Sequence, residues 1–261
     1  MATALKRAGH DVFVIAPQLP EGIKGIVVNH PAETRQSDGI TRPPTVKDPI
    51  WRQWQRNLLL WPDPDRWWAN KVINETRDRV AAFDPDLVIT TSPPESIHAV
   101  GLSFQSLFDC QWIADFRDSW LTDPLMPERS HLYRQIGEAY LGRQWLRKAD
   151  LAIAPTQHIL TELKETFSGQ KLHLYPQLPP SLPTKREDDI DGWDNLPDGT
   201  VRLLHTGSLT LSDPKRLLGP VLEAFSGKTS ENVQLCLIGR ISVDELALID
   251  QTPRVRWLGL F

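Results

Sequence analysis

The sequence predicts an α/β protein with two domains, each built around a parallel sheet. Short apolar runs rich in β-branched residues, such as DVFVIA and LVITT, alternate along the chain with stretches of helical periodicity. These runs are continuous, which is typical of strands buried on both faces of a parallel sheet. The alternation breaks in residues 176–200, where PQLPPSLP precedes an acidic stretch, and then resumes. Alternating strands and helices indicate βαβ units.

We predict a first domain over residues 1–175, an interdomain linker over 176–200 and a second domain over 201–261. The strands of the first domain are predicted at residues 11–16, 25–29, 87–91, 111–114 and 151–154. Its helices are predicted at residues 2–8, 51–82, 93–105, 128–148 and 157–167, with an interruption at PDPD. Residues 31–50, rich in Pro, Thr and Asp, are predicted as a long loop. The second domain is predicted to have strands at 201–205, 233–238 and 255–258, with helices at 214–225 and 243–249.

Some helices carry more specific signals. In SPPE, Ser92 fits an N-cap with Pro93 at the first helical position and Glu95 closing a capping box. Thr156 can cap the helix that follows it. One amphipathic helix is predicted from apolar side chains on a common face: Tyr133, Ile136, Tyr140, Leu141 and Trp145. Another stripe at helical spacing predicts either core packing or a membrane interface: Trp51, Trp54, Leu58 and Trp61.

The bulk properties exclude several classes of protein. The chain has 261 residues, 40% of them hydrophobic, and its net charge of -4 lacks the basic footprint of a nucleic-acid-binding protein. Cys110 and Cys236 stand outside any metal-ligand spacing and predict a reduced, cytoplasmic setting. The N-terminal residues predict no signal peptide. Apolar runs fall short of the roughly 20 residues of a membrane span, which leaves a peripheral contact at the inner membrane face open.

Polar residues cluster where three predicted strands end, in residues 92–98, 115–118 and 205–208. Ligands of open parallel sheets bind at the carboxyl ends of the strands, so we expect these clusters to line a cleft. His98 lies just inside a helix whose N-terminus faces that cleft, where it could bond a substrate hydroxyl or a backbone carbonyl. The alternative is a surface histidine that bonds its own loop.

The second cluster contains Asp115, Arg117 and Asp118. A DxxD pair can indicate a magnesium-diphosphate site. This pair follows a strand and has no second acidic cluster, which disfavours a metal. The alternative is an Asp–Arg–Asp ion-pair network that holds the loop.

The third cluster, HTGSLTLSDPKRLL, has features of an anion site. Gly207 can let the chain approach a phosphate closely. Asp213 fits an N-cap, so Lys215 and Arg216 occupy the first helical turn, where cations oppose the helix dipole. A docked anion would explain this mismatch. The alternative is that both cations point into solvent.

Taken together, these motifs resemble the GT-B glycosyltransferases of family 4. The features are AGHDVFVIAP, PDPDRWW, PDLVITTSPPESIHAVGL, WIADFRDSW, KAD before a strand, HTGSL and LCLIG, spread in order over most of the chain. The resemblance implies two Rossmann-like domains that face each other. It also implies an acceptor bound mainly to the first domain and a nucleotide-sugar donor bound mainly to the second.

The resemblance also implies roles for the residues singled out above. His98 would lie near the donor sugar and Asp115 would line the reaction centre, so both are candidate catalytic residues. Ser92, Arg117 and Asp118 would line the cleft. The donor phosphates would be approached or neutralised by four residues of the second domain: Gly207, Ser208, Lys215 and Arg216. Fixed cations and N–H groups would stabilise the charge of the leaving diphosphate.

The sequence departs from the family pattern at both ends. Members begin with a strand and a Gly-rich loop, and this chain opens at the helix that would follow. The donor-sugar segment with two glutamates would come after WLGLF, and the usual Asn-Gly after the interdomain strand is replaced by Tyr175-Pro176-Gln177. We therefore expect a fragment whose first domain lacks its first strand and whose second domain is incomplete.

The expected activity is retaining transfer of a sugar from a nucleotide-sugar to a glycan or lipid-linked acceptor, with cell-surface polysaccharide synthesis as one setting. The nucleotide-sugar would be a substrate, and neither a cofactor nor a metal is expected. The alternative is an inactive nucleotide- or partner-binding remnant of such an enzyme. A sugar-nucleotide epimerase and a structural scaffold are weaker alternatives, because the epimerase needs acidic residues that this sequence does not match.

Overall fold

The computed structural model describes residues 1–30, 40–41, 61–63, 65–122, 131–167, 171–176, 199–208, 218–226 and 232–259. The chain divides into two compact units, one over Met1–Pro31 and Asp48–Pro180 and the other over Ala32–Lys47 and Ser181–Phe261. Both units contain parallel strands covered by helices, which confirms the predicted α/β class. The bounds predicted for the two domains and the linker stay a prediction.

The strands, in chain order, are β1 Phe13–Ala16, β2 Lys24–Val27, β3 Ile40–Thr41, β4 Leu87–Ser92, β5 Gln111–Phe116, β6 Leu151–Ala154, β7 Leu172–Leu174, β8 Val201–Thr206, β9 Val233–Ile238, β10 Ile241–Ser242 and β11 Val255–Trp257. The helices are α1 Ala2–Arg7, α2 Arg66–Phe83, α3 His98–Phe108, α4 Leu132–Leu146, α5 Gln157–Thr166, α6 Leu218–Ser226 and α7 Val243–Asp250. A short 3-10 turn, Glu95–Ile97, precedes α3.

The first unit contains a four-stranded parallel sheet in the order β4-β5-β6-β7 and a separate parallel pair, β1-β2. Thr91 pairs with Asp115 and Ser92 with Phe116, so the carboxyl ends of β4 and β5 are level. Strand β7 was not predicted from the sequence, because its three residues, LHL, are too short a pattern to indicate a strand.

Two apolar clusters form the core of this unit. Beneath the four-stranded sheet, the fully buried side chains of Trp112, Phe116, Trp120 and Phe167 pack together. The second cluster joins α2 to α3, and partly buried residues of β1, β2 and β4 pack against it. The second cluster therefore joins the two sheets of the first unit. Among the described strands, no backbone ladder connects these sheets.

The predicted capping box at Ser92 is wrong. Ser92 is the last residue of β4, and the peptides Ser92–Pro93 and Pro93–Pro94 are cis. Pro94 is extended, with ψ 151, so the chain turns through a 3-10 segment and α3 begins only at His98. The carboxylate of Asp63 accepts the Ser96 amide instead, at 2.7 Å. The N-cap of this helical segment therefore comes from a distant residue. The cap predicted at Thr156 is confirmed, because its hydroxyl accepts the Ile159 amide at 3.3 Å.

The predicted amphipathic helix exists as α4, but its apolar residues do not share one environment. Trp145 is buried, whereas Tyr133, Ile136 and Tyr140 are exposed. The buried face of α4 includes the ion pair of Arg134 with Glu138, which occupies the space that an apolar stripe would fill. Of the predicted tryptophan stripe, Trp51, Trp54 and Leu58 lie outside the described residues. Trp61 packs against α4 at Gly137.

The second unit contains a parallel sheet in the order β11-β9-β8 and the short parallel pair β10-β3. Ile40–Thr41 is therefore a short strand within the segment predicted as a long loop. The core of this unit comprises Leu218, Leu222, Leu235, Leu237, Ile241, Ile249 and Val255. A capping box at Ser242 and Glu245 starts α7. Within the parts of the chain that the structure describes, no helix is long and apolar enough to cross a membrane.

Candidate functional site

The carboxyl ends of β4 and β5 and the start of α3 bring polar side chains into the interior of the first unit. Ser92, Asp115 and His98 are all almost completely buried there. Parallel pairing of β4 with β5 places Ser92 beside Phe116 and Thr91 beside Asp115. The structure thus places the polar residues predicted at the ends of β4 and β5 side by side, with their side chains buried.

A buried hydrogen-bond chain fixes the ring of His98. The indole Nε1–H of Trp112 donates to the Thr90 hydroxyl at 2.8 Å, and this hydroxyl lies 2.9 Å from His98 Nδ1. The hydroxyl oxygen accepts from Trp112, so its own proton is free to be donated to Nδ1. We assign the neutral ring its proton on Nε2, because in that tautomer the Thr90 hydroxyl proton has Nδ1 as its acceptor. Among the described residues, Nε2 has no hydrogen-bond partner.

Apolar walls keep this imidazole neutral. The Phe116 ring lies 4.5 Å from the His98 ring, centroid to centroid, and the Trp112 ring lies at 6.3 Å. Burial lowers the pKa of His98 to about 3, because the charged form cannot be solvated. His98 can therefore donate a hydrogen bond from Nε2, but it cannot act as a cation at neutral pH. The alternative in which His98 bonds its loop from the surface is wrong.

The carboxyl group of Asp115 is also enclosed. Burial raises its pKa, while a hydrogen bond from Thr91 and the charges of Arg117 and the chain's amino group lower it. Its Oδ2 atom has no hydrogen-bond partner within the described part of the chain. Ser92 Oγ reaches only the Asp115 carbonyl, at 3.5 Å, which is long for a hydrogen bond. Asp115 Oδ2 could therefore accept a hydrogen bond from a ligand only if the residues that enclose it moved.

Arg117 and Asp118 are exposed residues after β5. The Arg117 amide donates to the Ser92 carbonyl at 3.1 Å, which extends the pairing of β4 with β5 by one bond. The ion pairs of the described residues do not include an Asp115–Arg117–Asp118 network, so that alternative is wrong. Both residues follow the carboxyl end of β5, and their cleft-lining role stays a prediction.

Asp63 is a member of this site that was not singled out from the sequence. Its buried carboxylate accepts the Ser96 amide at 2.7 Å and the Asp65 amide at 2.8 Å. Burial raises its pKa, and these hydrogen bonds oppose the rise. The signal was present in the Pro-Asp pair of PDPDRWW, which can end a loop but does not show what it contacts.

Buried carboxylates also hold the segment after β5. Glu162 accepts the amides of Trp120 at 2.8 Å and Leu121 at 2.9 Å, and it bonds the Thr122 hydroxyl. Glu138 accepts the Trp120 indole N–H at 2.9 Å. Fixed at these points, the RDSW segment has little freedom to move when a ligand binds. A charged residue on an otherwise apolar helical face is the only sequence signal for either glutamate.

In the second unit, all three strands of the larger sheet end next to a glycine with positive φ. Gly207 follows β8 with φ 116, Gly239 follows β9 with φ 143, and Gly259 lies just past β11 with φ 93. The Gly207 amide donates to Ile238 O at 2.7 Å, and the Gly239 amide donates to Gly259 O at 2.9 Å. These two amides are therefore already used between strand ends and are not donors for a phosphate.

Gly207 can still serve a ligand by having no side chain. A Cβ at this position would meet nothing within 4 Å, so the space beside it is open. His205, on β8, has a buried Nε2 with no hydrogen-bond partner in the described residues. Ser208 follows directly. Lys215 and Arg216, with the helix start predicted at Asp213, lie outside the described residues.

The first unit is a Rossmann-like α/β domain with buried polar groups at the carboxyl edge of its parallel sheet. Proteins of this class bind ligands at that edge. The glycosyl transferase 4-like domain matches residues 1–176, more than half of the chain. The chain belongs to this family of glycosyltransferases, as the sequence resemblance implied. No curated protein sequence matches the chain.

Several solved structures are similar in fold. Sucrose-phosphate synthase from Thermosynechococcus elongatus matches with a TM-score of 0.59 and 16% identity, covering 100% of this chain and 63% of that one. The chain thus spans less than two thirds of that protein's length. Spinosyn rhamnosyltransferase SpnG, complexed with thymidine diphosphate, has a TM-score of 0.47 and 15% identity, covering 98% of this chain and 65% of its own. Anabaena Alr3699/HepE, in complex with UDP and glucose, has a TM-score of 0.43 and 16% identity, covering 74% of this chain and 51% of its own.

At these identities the likeness concerns the fold. The sucrose-phosphate synthase match supports the predicted Rossmann-like α/β class. The two matches with TM-scores below 0.5 carry no argument about a site or a substrate.

Proposed function

We propose that the chain serves glycosyl transfer from a nucleotide-sugar donor, with the carboxyl edge of the first sheet contacting sugar hydroxyls. The observation that carries the proposal is the pair of buried atoms without partners, His98 Nε2 and Asp115 Oδ2, at the ends of adjacent elements of the described chain. A buried donor or acceptor left unpaired costs about 1–3 kcal/mol. A polyhydroxylated ligand offers both an acceptor for Nε2–H and a donor for Oδ2.

The two groups suit different roles in that reaction. Neutral His98, held through Thr90, donates a hydrogen bond without adding a positive charge beside an oxocarbenium-like centre. Asp115, whose pKa is raised by burial, can accept from a sugar or acceptor hydroxyl. Both would position groups, and the leaving diphosphate would be stabilised elsewhere.

For the donor phosphates we propose Gly207, Ser208 and the cations Lys215 and Arg216. The open space beside Gly207 supports this placement. Cations aimed at the leaving group would stabilise its growing charge. The proposed reaction retains the anomeric configuration and needs no metal, and the acceptor is a glycan or lipid-linked sugar at the cytoplasmic face of a membrane.

A panel of nucleotide-sugars, with donor hydrolysis and transfer as readouts, tests the proposal. Nucleotide release that falls at least tenfold in His98→Gln and Asp115→Asn, with unchanged circular dichroism, would support it. Asp78→Asn, at an exposed position on α2 of the same unit, serves as the control with a single altered polar group. A fully active His98→Gln variant would refute the assigned role of His98.

A second candidate is binding of the nucleotide without turnover. The complete burial of His98 favours it, because a group at 0% exposure contacts a substrate only if the site opens. Calorimetric binding of UDP or thymidine diphosphate, combined with no release of sugar from any donor, would select this function.

A further inference from the structure

The outer face of α4 is apolar where a surface helix is normally polar. Its exposed large side chains are Leu132 at 70%, Tyr133 at 46%, Ile136 at 62% and Tyr140 at 64%. Leu132, Ile136 and Tyr140 recur at intervals of four, so they form one stripe along the helix. Patches of this kind on a protein surface mark contacts with a partner or a membrane.

Charge is distributed unevenly on the same helix. Glu138, the only acidic residue of α4, is at 0% exposure and pairs with Arg134 inside the unit. Arg143, Arg147 and Lys148 are exposed at the C-terminal end of the helix and in the turn after it. The outer face of α4 therefore presents apolar and cationic groups and no carboxylate.

Asp150, the acidic residue that follows α4 in the described chain, does not reverse this charge. Asp150, in the following turn, is directed towards the sheet, where its Oδ2 accepts the Trp112 amide at 2.8 Å and the Gln105 amide group at 3.0 Å. Arg143 donates from Nε to the Thr166 carbonyl at 2.7 Å. This acceptor is neutral, so the bond does not cancel the positive charge of Arg143. Trp61 packs on the helix at Gly137 and adds an indole to the aromatic groups of α4.

We propose that the outer face of α4 docks on an anionic membrane surface. Tyrosine favours the interface between water and acyl chains, where its ring is apolar and its hydroxyl remains wet. Exposed Leu132 and Ile136 can insert at the boundary of the headgroups, while Arg147 and Lys148 attract anionic lipids. Two copies of this face would offer each other no carboxylates to neutralise their cations. An anionic bilayer supplies the missing charge.

Vesicle sedimentation of the full 261-residue chain tests the docking surface without requiring activity. We expect binding to vesicles of phosphatidylcholine with phosphatidylglycerol and much weaker binding to phosphatidylcholine alone. Ile136→Glu/Tyr140→Glu should lower the partition coefficient at least about tenfold, because it puts two anions on the apolar stripe. Arg147→Gln/Lys148→Gln should lower it by about fivefold for each cation removed.

The matched control is Val243→Glu/Leu248→Glu on α7, where both side chains are exposed, at 42% and 47%. It makes the same change of charge on another helix and should leave binding within about twofold of the original, since it does not alter the docking face. Circular dichroism verifies that all variants fold.

Three results would overturn the proposal. The first is no binding to the anionic vesicles, and the second is an equal loss of binding in the α7 control. The third is retained vesicle binding in Ile136→Glu/Tyr140→Glu together with a change of sedimentation coefficient, which would assign the face to self-association. None of these depends on glycosyl transfer, so the two proposals fail separately.

Discussion

Acid should weaken the first unit through His98, because its folded and unfolded forms bind protons differently. Burial lowers the pKa from 6.5 to about 3 in the folded protein. Between these values the unfolded chain takes up a proton that the folded chain excludes. The contribution of His98 to stability is therefore complete above the unfolded pKa and is lost as the pH falls below it.

The size of this effect follows from the pKa difference. At about pH 5, the pH is about 1.5 units below the pKa of the unfolded histidine, which is therefore protonated, while the buried ring of the folded protein is still neutral. Each unit is worth about 1.4 kcal/mol, so the free energy of unfolding should fall by about 2 kcal/mol between pH 7.5 and pH 5 from this group alone. Other groups also titrate in this range, so the chain needs a comparison in which only His98 is changed.

His98→Gln provides that comparison, since glutamine is similar in size and does not titrate. Urea unfolding followed by tryptophan fluorescence reports mainly the first unit, because eight of the ten tryptophans lie in it. The original chain should lose about 2 kcal/mol more than the variant on going from pH 7.5 to pH 5. Equal losses would refute the reasoning, because they would mean that the ring is solvated and binds a proton when folded.

Two further predictions concern packing and capping in the same unit. Asp63→Ala should lower the free energy of unfolding by about 2–4 kcal/mol, because the buried Ser96 amide loses its acceptor. Asp63→Asn keeps one oxygen, so its free energy of unfolding should fall by about half as much. Similar urea midpoints for the two variants would argue against the cap. Gly142→Ala should lower the free energy of unfolding by about 1–3 kcal/mol, because its Cβ would clash with the buried Phe167 ring. The control is Gly219→Ala, whose Cβ would meet nothing within 4 Å, so this change should be neutral or slightly stabilising. A thermal melt in which Gly142→Ala is as stable as Gly219→Ala would contradict the expected clash with the Phe167 ring.

The sequence was informative wherever local pattern decides structure. The apolar runs LVITT and QWIA form β4 and β5, and the polar residues after them reach the same sheet edge, because parallel strands end together. The cap at Thr156 is also decided locally, because the hydroxyl needs only the amide of Ile159, three residues away.

It was uninformative where a distant partner decides the outcome. SPPE has every local feature of a capping box, yet Asp63, 33 residues away from Ser96, takes the amide. Similarly, the periodicity of α4 identified a helix but not its inward face, because Arg134 is buried through Glu138 and the Pro62 carbonyl rather than by its own hydropathy. The relay from Trp112 through Thr90 to His98 joins residues on three elements, so spacing along the chain cannot reveal it.

The shared core of the two sheets in the first unit has a consequence for amide hydrogen exchange. Among the described strands, β1 and β2 pair only with each other, and they join the rest of the unit through packing on the α2–α3 cluster and the bond from the Trp68 indole to the Val28 carbonyl. Their amides can exchange through a partial opening that leaves the larger sheet intact. Ala114 on β5 has strand neighbours on both sides, so its amide needs a far larger opening. The unit should therefore show two levels of protection, with its slowest amides around Trp112 and Ala114 of β5 and its faster ones at β1 and β2.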